Sequence, residues 1–288
     1  MAVVNTNIAA SLAQSSLMKN ERALGTAMEQ LSTGRKINSA GDNAAGLAIS
    51  TRMSSQIRGL DAAIRNANDA VSMVNTAEGA LDEITAMLQR MRELAVQAGT
   101  GTTDAADRTY LQSEFTALRT EIDRIADNTQ WNGRNILDGS AGASAGKSTV
   151  AFGIGQDGTA AQTLSTSFGN FNNTTGSLSG LASKVITGTT IASAITVAAA
   201  AITEIDVVIA DVSAQRASFG AVSNRLTHAV DSLTNTKTNS EAARSRILDT
   251  DYAAATSELA RTQIIQQAGT AMLAQANTMP QTVLALLQ

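Results

Sequence analysis

From Ile57 to Leu94 apolar side chains recur at steps of three and four: Ile57, Leu60, Ile64, Ala67, Val71, Val74, Ala77, Leu81, Ile84, Leu88, Met91 and Leu94. A strand alternates every two residues, so only an α-helix gathers these positions on one stripe. The run of 38 residues predicts a helix roughly 57 Å long at about 1.5 Å per residue. Such a helix cannot cover its own stripe. The chain must therefore supply long partner helices.

The partners are legible by the same period. Leu17, Leu24 and Leu31 stand seven apart, with Met28 filling the last interval. Leu111, Phe115, Leu118, Ile122 and Ile125 mark another helix. The series resumes near Ile191 and runs through Ile202, Ile205, Ile209, Val212, Phe219, Leu226 and Leu233. Beyond Ile247, every seventh place carries Ile265, Met272, Met279 and Leu286. Aromatics are only 3% of the chain and there is one proline, which favours long helices packed by aliphatic side chains over a sheet-based core. The order predicted is three helices, an insertion, then two helices.

Breaks separate these runs. Gly99-Thr100-Gly101 ends the long helix, with Thr103 as the candidate N-cap of the next and Asp104 and Asp107 suited to its first turn. Asn132-Gly133, beside Trp131, is a turn signal. From 139 to 200 the chain turns to Gly, Ser, Thr, Ala and Asn, with only Lys147, Asp157 and Lys184 charged. Thr149–Phe152 and Lys184–Thr187 are the candidate strands of a loop-rich insertion.

Both ends lack charged side chains. None occurs from Met1 to Met18, and none after Arg261. Ordinary amphipathic helices carry charge on their wet face. Helices that replace charge with amides and hydroxyls suit burial among copies of the same chain, where a desolvated charge is costly and an amide finds a partner. Their matched periods pair the two ends with each other. The last 27 residues hold six Gln, four Thr and one Asn, too polar for a membrane span.

Several function classes are disfavoured. Net charge is −4 and basic residues are scattered, so no stripe tracks nucleic-acid phosphates. There is no cysteine, which excludes disulfides and thiolate chemistry. No Sec-type signal is visible at the N-terminus. His228, the one histidine, reads as a solvated helix position and cannot assemble a metal cluster. Gly153-Ile154-Gly155-Gln156 lacks the ending of a phosphate loop. No convergent acid, base and nucleophile set is present, so no enzyme, cofactor or metal is expected. Asp61 and Arg65 have the spacing of a helical ion pair. Asn172 and Asn173 each begin an Asn-x-Thr sequon.

The segments Leu31–Ile49 (LSTGRKINSAGDNAAGLAI), Gln89–Ala98 (QRMRELAVQA), Asn128–Gly133 (NTQWNG), Ser245–Tyr252 (SRILDTDY) and Gln275–Asn277 (QAN) occur in an order that resembles bacterial flagellin along nearly the whole chain except the insertion. The resemblance implies a mainly α fold: a long antiparallel helical bundle or coiled coil formed by N- and C-terminal segments, with a small β/loop insertion in the middle. It implies an inner terminal-helix domain of residues 1–40 with 247–288, and a helical shell of 41–139 with 196–246. Residues 140–195 would be a short variable insertion, with large outer domains missing. Ser39–Gly46 would link inner domain and shell.

The function implied is that of a motility filament subunit, secreted unfolded and polymerised at the tip of an extracellular flagellum. Its polymerisation core would include Leu17, Leu24, Met28, Leu31, Ile265, Met272, Met279 and Leu286. Supercoiling would come from alternative packings along small residues such as Ala67, Ala77 and Ala95. Partners implied are further copies of itself, the export apparatus and an export chaperone, and the filament cap and hook-associated junction proteins. Arg90, Leu94 and Glu114 match positions read by a vertebrate Toll-like receptor and also serve as candidate contacts between subunits. Two alternatives stay open: a hook–filament junction protein of the same end-helix design, and a monomeric helical binding module.

Overall fold

The computed structural model describes residues 7–141, 149–155, 162–172 and 176–286, with the backbone alone for 279–286. Its elements are α1 (Ile8–Thr33), α2 (Ala40–Ala98), α3 (Ala105–Asn128), β1 (Gln130–Trp131), β2 (Arg134–Asn135), β3 (Thr149–Gly153), β4 (Thr163–Ser167), α4 (Ser179–Ala182), α5 (Ile191–Leu248) and α6 (Tyr252–Leu286). The fold is the predicted one, mainly helical with a small β insertion. The chain divides into two compact units, residues 1–57 with 238–288 and residues 58–237.

The unit of residues 58–237 holds the large core. Leu81, Ile84, Leu88, Met91 and Leu94 of α2 are buried, as the period predicts, with Phe115 and Ile122 of α3 and Ile205, Val212, Phe219 and Leu226 of α5. Three cross-helix ion pairs give the direction of α2 against α5: Asp61 with Lys237 at 2.7 Å, Asp82 with Arg216 at 3.0 Å, and Arg92 with Asp206 at 2.8 Å. As one partner's number rises the other's falls, so the helices run antiparallel. Asp61 thus pairs across helices rather than with Arg65; its neighbour on α5 offers a closer cation than its own helix. Ala67, Ala77 and Ala95 are fully buried in this core, not on a surface that another subunit could touch. A window of α5 reaches mean hydropathy 1.8, the composition of a membrane span, while Ala194, Ala198, Ala201 and Ile205 along that helix are buried against protein.

The N-cap of α3 is Asp104, whose side chain accepts from the Ala105 N–H at 2.8 Å. Thr103 instead turns back, its hydroxyl donating to the Gln97 carbonyl at 3.1 Å and closing the end of α2. Arg108 does similar work. It is buried, and Nη2 reaches the Thr100 carbonyl at 3.4 Å, where a cation favours the helix C-terminus.

Asn132 and Gly133 both have positive φ (51° and 75°) and join β1 to β2 as a two-residue hairpin turn. Thr149–Gly153 is a strand, paired antiparallel with Thr163–Ser167. Lys184–Thr187 is not a strand. Segments of α3 hold it instead: Arg119 donates to the Ala182 carbonyl and Gln112 accepts from the Ile186 N–H at 2.6 Å. Val150, Phe152 and Leu164 of the β3–β4 hairpin pack on the core, and Phe168 lies 5.1 Å from Phe219 between ring centroids. Of the two sequons, Asn172 donates to Asp127 at 2.7 Å, and Asn173 lies outside the described residues.

Candidate assembly interface

The unit of residues 1–57 and 238–288 is built by the two chain ends. Asn7 caps α1, its side-chain oxygen accepting from the Ala10 N–H at 3.0 Å, and the Gly34 N–H closes the helix on the Gln30 carbonyl at 2.9 Å. Asp251 starts α6 by accepting from the N–H groups of Ala253 and Ala254. The connectors that follow α1 and α5 are tied together, Lys36 N–H to the Leu248 carbonyl at 2.7 Å and Thr250 N–H to the Gly34 carbonyl at 3.0 Å. Within 39–46 the helical path is interrupted once, at Asn43 (φ −164°, ψ 96°). Asn43 accepts from the Gly46 N–H at 2.8 Å and so recaps the helix there. Just before it, Asp42 accepts from the Asn38 and Ser39 N–H groups and the Ser39 hydroxyl. The Ser39 N–H, then that of Asn38, hold the Asp42 carboxyl below its ordinary range.

Between α1 and α6 the contacts follow a heptad. Ala10, Ala13, Leu17, Asn20, Leu24, Ala27 and Leu31 line α1, and Ala255, Leu259, Thr262, Gln266, Gly269, Leu273 and Ala276 line α6, all buried or half-buried. Two amides cross the seam: Asn20 Nδ2 donates to the Thr262 carbonyl and Asn7 Nδ2 to the Ala276 carbonyl, each at 2.7 Å. The ends therefore pair with each other as their periods predict. Sequence reasoning missed Asn20, Thr262 and Gly269, although Asn20 stands at the heptad step between Leu17 and Leu24.

The series Ile265–Met272 is not the stripe that meets α1. Ile265 is 42% exposed and Met272 66%, one step round the helix from Thr262 and Gly269. Met28 also faces outward, at 54%, while Leu17, Leu24 and Leu31 are half-buried in the seam. Ile8, Leu12, Met18 and Ile264 are exposed as well. The side chains of Met279 and Leu286 lie outside the described residues. A single chain thus shows exposed apolar side chains on both terminal helices. The last charged pair before the C-terminal end is Glu258 with Arg261, whose hydrogen bond holds the Glu258 carboxyl below its usual range.

Arg90 and Glu114 come together within one chain: Arg90 Nε donates to Glu114 at 2.9 Å and Nη1 to Glu93 at 3.1 Å. All three are exposed, so the pair needs no neighbouring copy to form. Leu94 lies beneath, 1% exposed and part of the core. His228 is exposed on α5, and among the described residues no three His, Asp or Glu side chains gather as metal ligands.

An antiparallel helical pair closed on a polar-bonded seam, with uncovered apolar side chains outside, is the layout of a subunit in a helical assembly. The profile of the bacterial flagellin N-terminal helical region matches residues 4–142, and that of the C-terminal helical region matches 202–287. A flagellin of Bacillus subtilis is 43% identical over 304 residues, covering 99% of each chain. A flagellin of Halalkalibacterium halodurans is 43% identical over 286 residues, covering 99% of this chain and 100% of its own. A solved flagellar hook-associated protein of Vibrio parahaemolyticus shares the fold alone, at 14% identity and TM-score 0.60, covering 72% of this chain and 100% of that one. The chain belongs to the bacterial flagellin family, the structural subunits of the flagellar filament.

Proposed function

We propose that filament growth runs through α1 and α6, with residues 1–40 and 247–288 forming the inner layer and 41–139 with 196–246 the shell around it. The observation that carries this is the set of exposed apolar side chains on the charge-free ends, Ile8, Leu12 and Met18 on α1 and Ile265 and Met272 on α6, with Met28 exposed further along α1. Leaving them in water is unfavourable, and neighbouring copies of the same helices cover them without burying a charge. Leu17, Leu24 and Leu31 then hold each α1 on its own α6. Contacts between copies that do not close into a ring allow open-ended growth.

Two features of composition suit export of the unfolded chain followed by refolding at the tip. With no cysteine, subunits do not cross-link in transit. With one proline, refolding meets little slow isomerisation. The export apparatus, an export chaperone, the filament cap and the hook-associated junction proteins are the partners this route requires. The exposed Arg90–Glu114 pair, seated over buried Leu94, is the surface we assign to neighbouring subunits and to a vertebrate Toll-like receptor.

Negative-stain electron microscopy of the full chain and of a truncation lacking 262–288, each treated with a precipitating salt, tests the reading. Long filaments from the full chain and none from the truncation are expected. A single short layer from the full chain favours a junction protein, and monomers from both favour a binding module.

A further inference from the structure

We infer that Leu17 and Gly269 determine the register in which α1 and α6 pair, a pair that Asn20 and Asn7 tie together. The inference goes beyond the assembly reading, because register is a property of one chain. The seam contains mostly small or polar side chains. On α6 it offers Ala255, Thr262, Gln266, Gly269 and Ala276, with only Leu259 and Leu273 large. Sliding one helix by a heptad exchanges Leu259 or Leu273 with Gln266 but otherwise small residues with small ones, so apolar burial separates the registers only in part. The discriminating contact is steric. Leu17 Cδ2 lies 2.7 Å from where a Cβ on residue 269 would stand, closer than side-chain carbons pack. Gly269 is the one glycine in α6. A slip of seven residues sets Leu17 against Thr262 or Ala276, both of which carry a Cβ, so the end of the Leu17 side chain has to turn aside. The amides act differently. Every turn of α6 offers a carbonyl, so an Asn20 bond survives a slip; it ties the pair without choosing its place. Asn7 binds Ala276 near the other end of the same register.

The cysteine-free chain permits a direct test. With Asn20 opposite Thr262, Ala27 falls opposite Ala255 in the observed register, and opposite Thr262 after a one-heptad slip. Full-length chains carrying A27C/A255C or A27C/T262C are oxidised, both free and after salt-induced polymerisation. Intrachain cross-links are read from the monomer band and by mass spectrometry. In the otherwise natural chain we expect the first pair to cross-link at least tenfold more than the second. Adding Gly269→Ala should reduce that ratio at least fivefold, and Leu17→Ala in its place should reduce it as well, since either change removes the steric contact that discriminates between registers. A ratio unchanged by Gly269→Ala overturns the inference. So does loss of both cross-links in either variant, since that reports plain destabilisation rather than a shifted register. Filament yield is scored separately, so failure of the register does not depend on whether filaments grow.

Discussion

Asn20 on α1 donates its side-chain amide to the main-chain carbonyl of Thr262 on α6, 2.7 Å away at a position 8% exposed. This contact shows how a buried seam position set between the charged residues Lys19 and Glu21 is filled without a charge. The seam accepts a neutral donor because a partner carbonyl stands opposite, whereas an ion there would lose its hydration without a counter-charge.

Asn20→Asp should therefore destabilise the α1–α6 pair by about 3–5 kcal/mol at neutral pH, because a buried carboxylate would face a carbonyl oxygen. Burial raises that carboxyl's pKa, and its protonated form can donate again, so pairing should recover on acidification. Filament yield against pH measures this. Equal yield for Asn20→Asp and the natural chain at neutral pH would sink the argument.

Ile265→Asp and Met272→Asp should abolish polymerisation and leave the free chain's fold untouched, since both side chains point outward from the α1–α6 seam. Circular dichroism of the free chain and electron microscopy after salt treatment separate the two effects. Long filaments from either variant would show that the outward stripe is not buried in the assembly.

Leu94→Ala should behave differently. Leu94 is buried with Met91, Leu88 and Phe115 in the large core, and its truncation should cost about 2–5 kcal/mol through lost burial and a cavity. Chemical denaturation of residues 58–237, read at Trp131, measures it. Glu114→Gln removes an exposed partner of Arg90 and should leave the same midpoint unchanged.

Asp42 provides a pH signature in the α1–α2 connector. Its folded pKa lies below the ordinary 3.8, so the stabilisation from its bonds to Ser39 and Asn38 is complete above that value. It is lost as pH falls through the lower folded value. Amide exchange at Asn38 and Ser39 should accelerate together in that acid window, and Asp42→Asn should remove the pH dependence. Exchange that ignores Asp42→Asn would count against the carboxylate's role.

Much of the architecture was legible in the sequence, and the failures have physical causes. The stripe from Ile57 to Leu94 is large, apolar and regular, so it could lie on only one face, and those residues are buried or half-buried as read. Asn132-Gly133 reads as a turn because both residues tolerate positive φ, and both adopt it. Lys184–Thr187 has stronger strand composition than Thr163–Ser167, yet only the latter has a partner strand; pairing is not a local property. In α6 nearly every position is small, apolar or an amide, so the period of Ile265 and Met272 did not reveal which stripe meets α1.

The sequence by itself determined the helices, their ends and their matched, charge-free termini, because backbone period, capping groups and the absence of charge act within a few residues. Only the tertiary structure decided that Asp61 pairs with Lys237, that Arg90 pairs with Glu114, and that Gly269 receives Leu17. Those outcomes depend on which helices lie side by side and how each is rotated about its axis. Distant residues set that rotation by filling space together, and one helix's own pattern does not contain it.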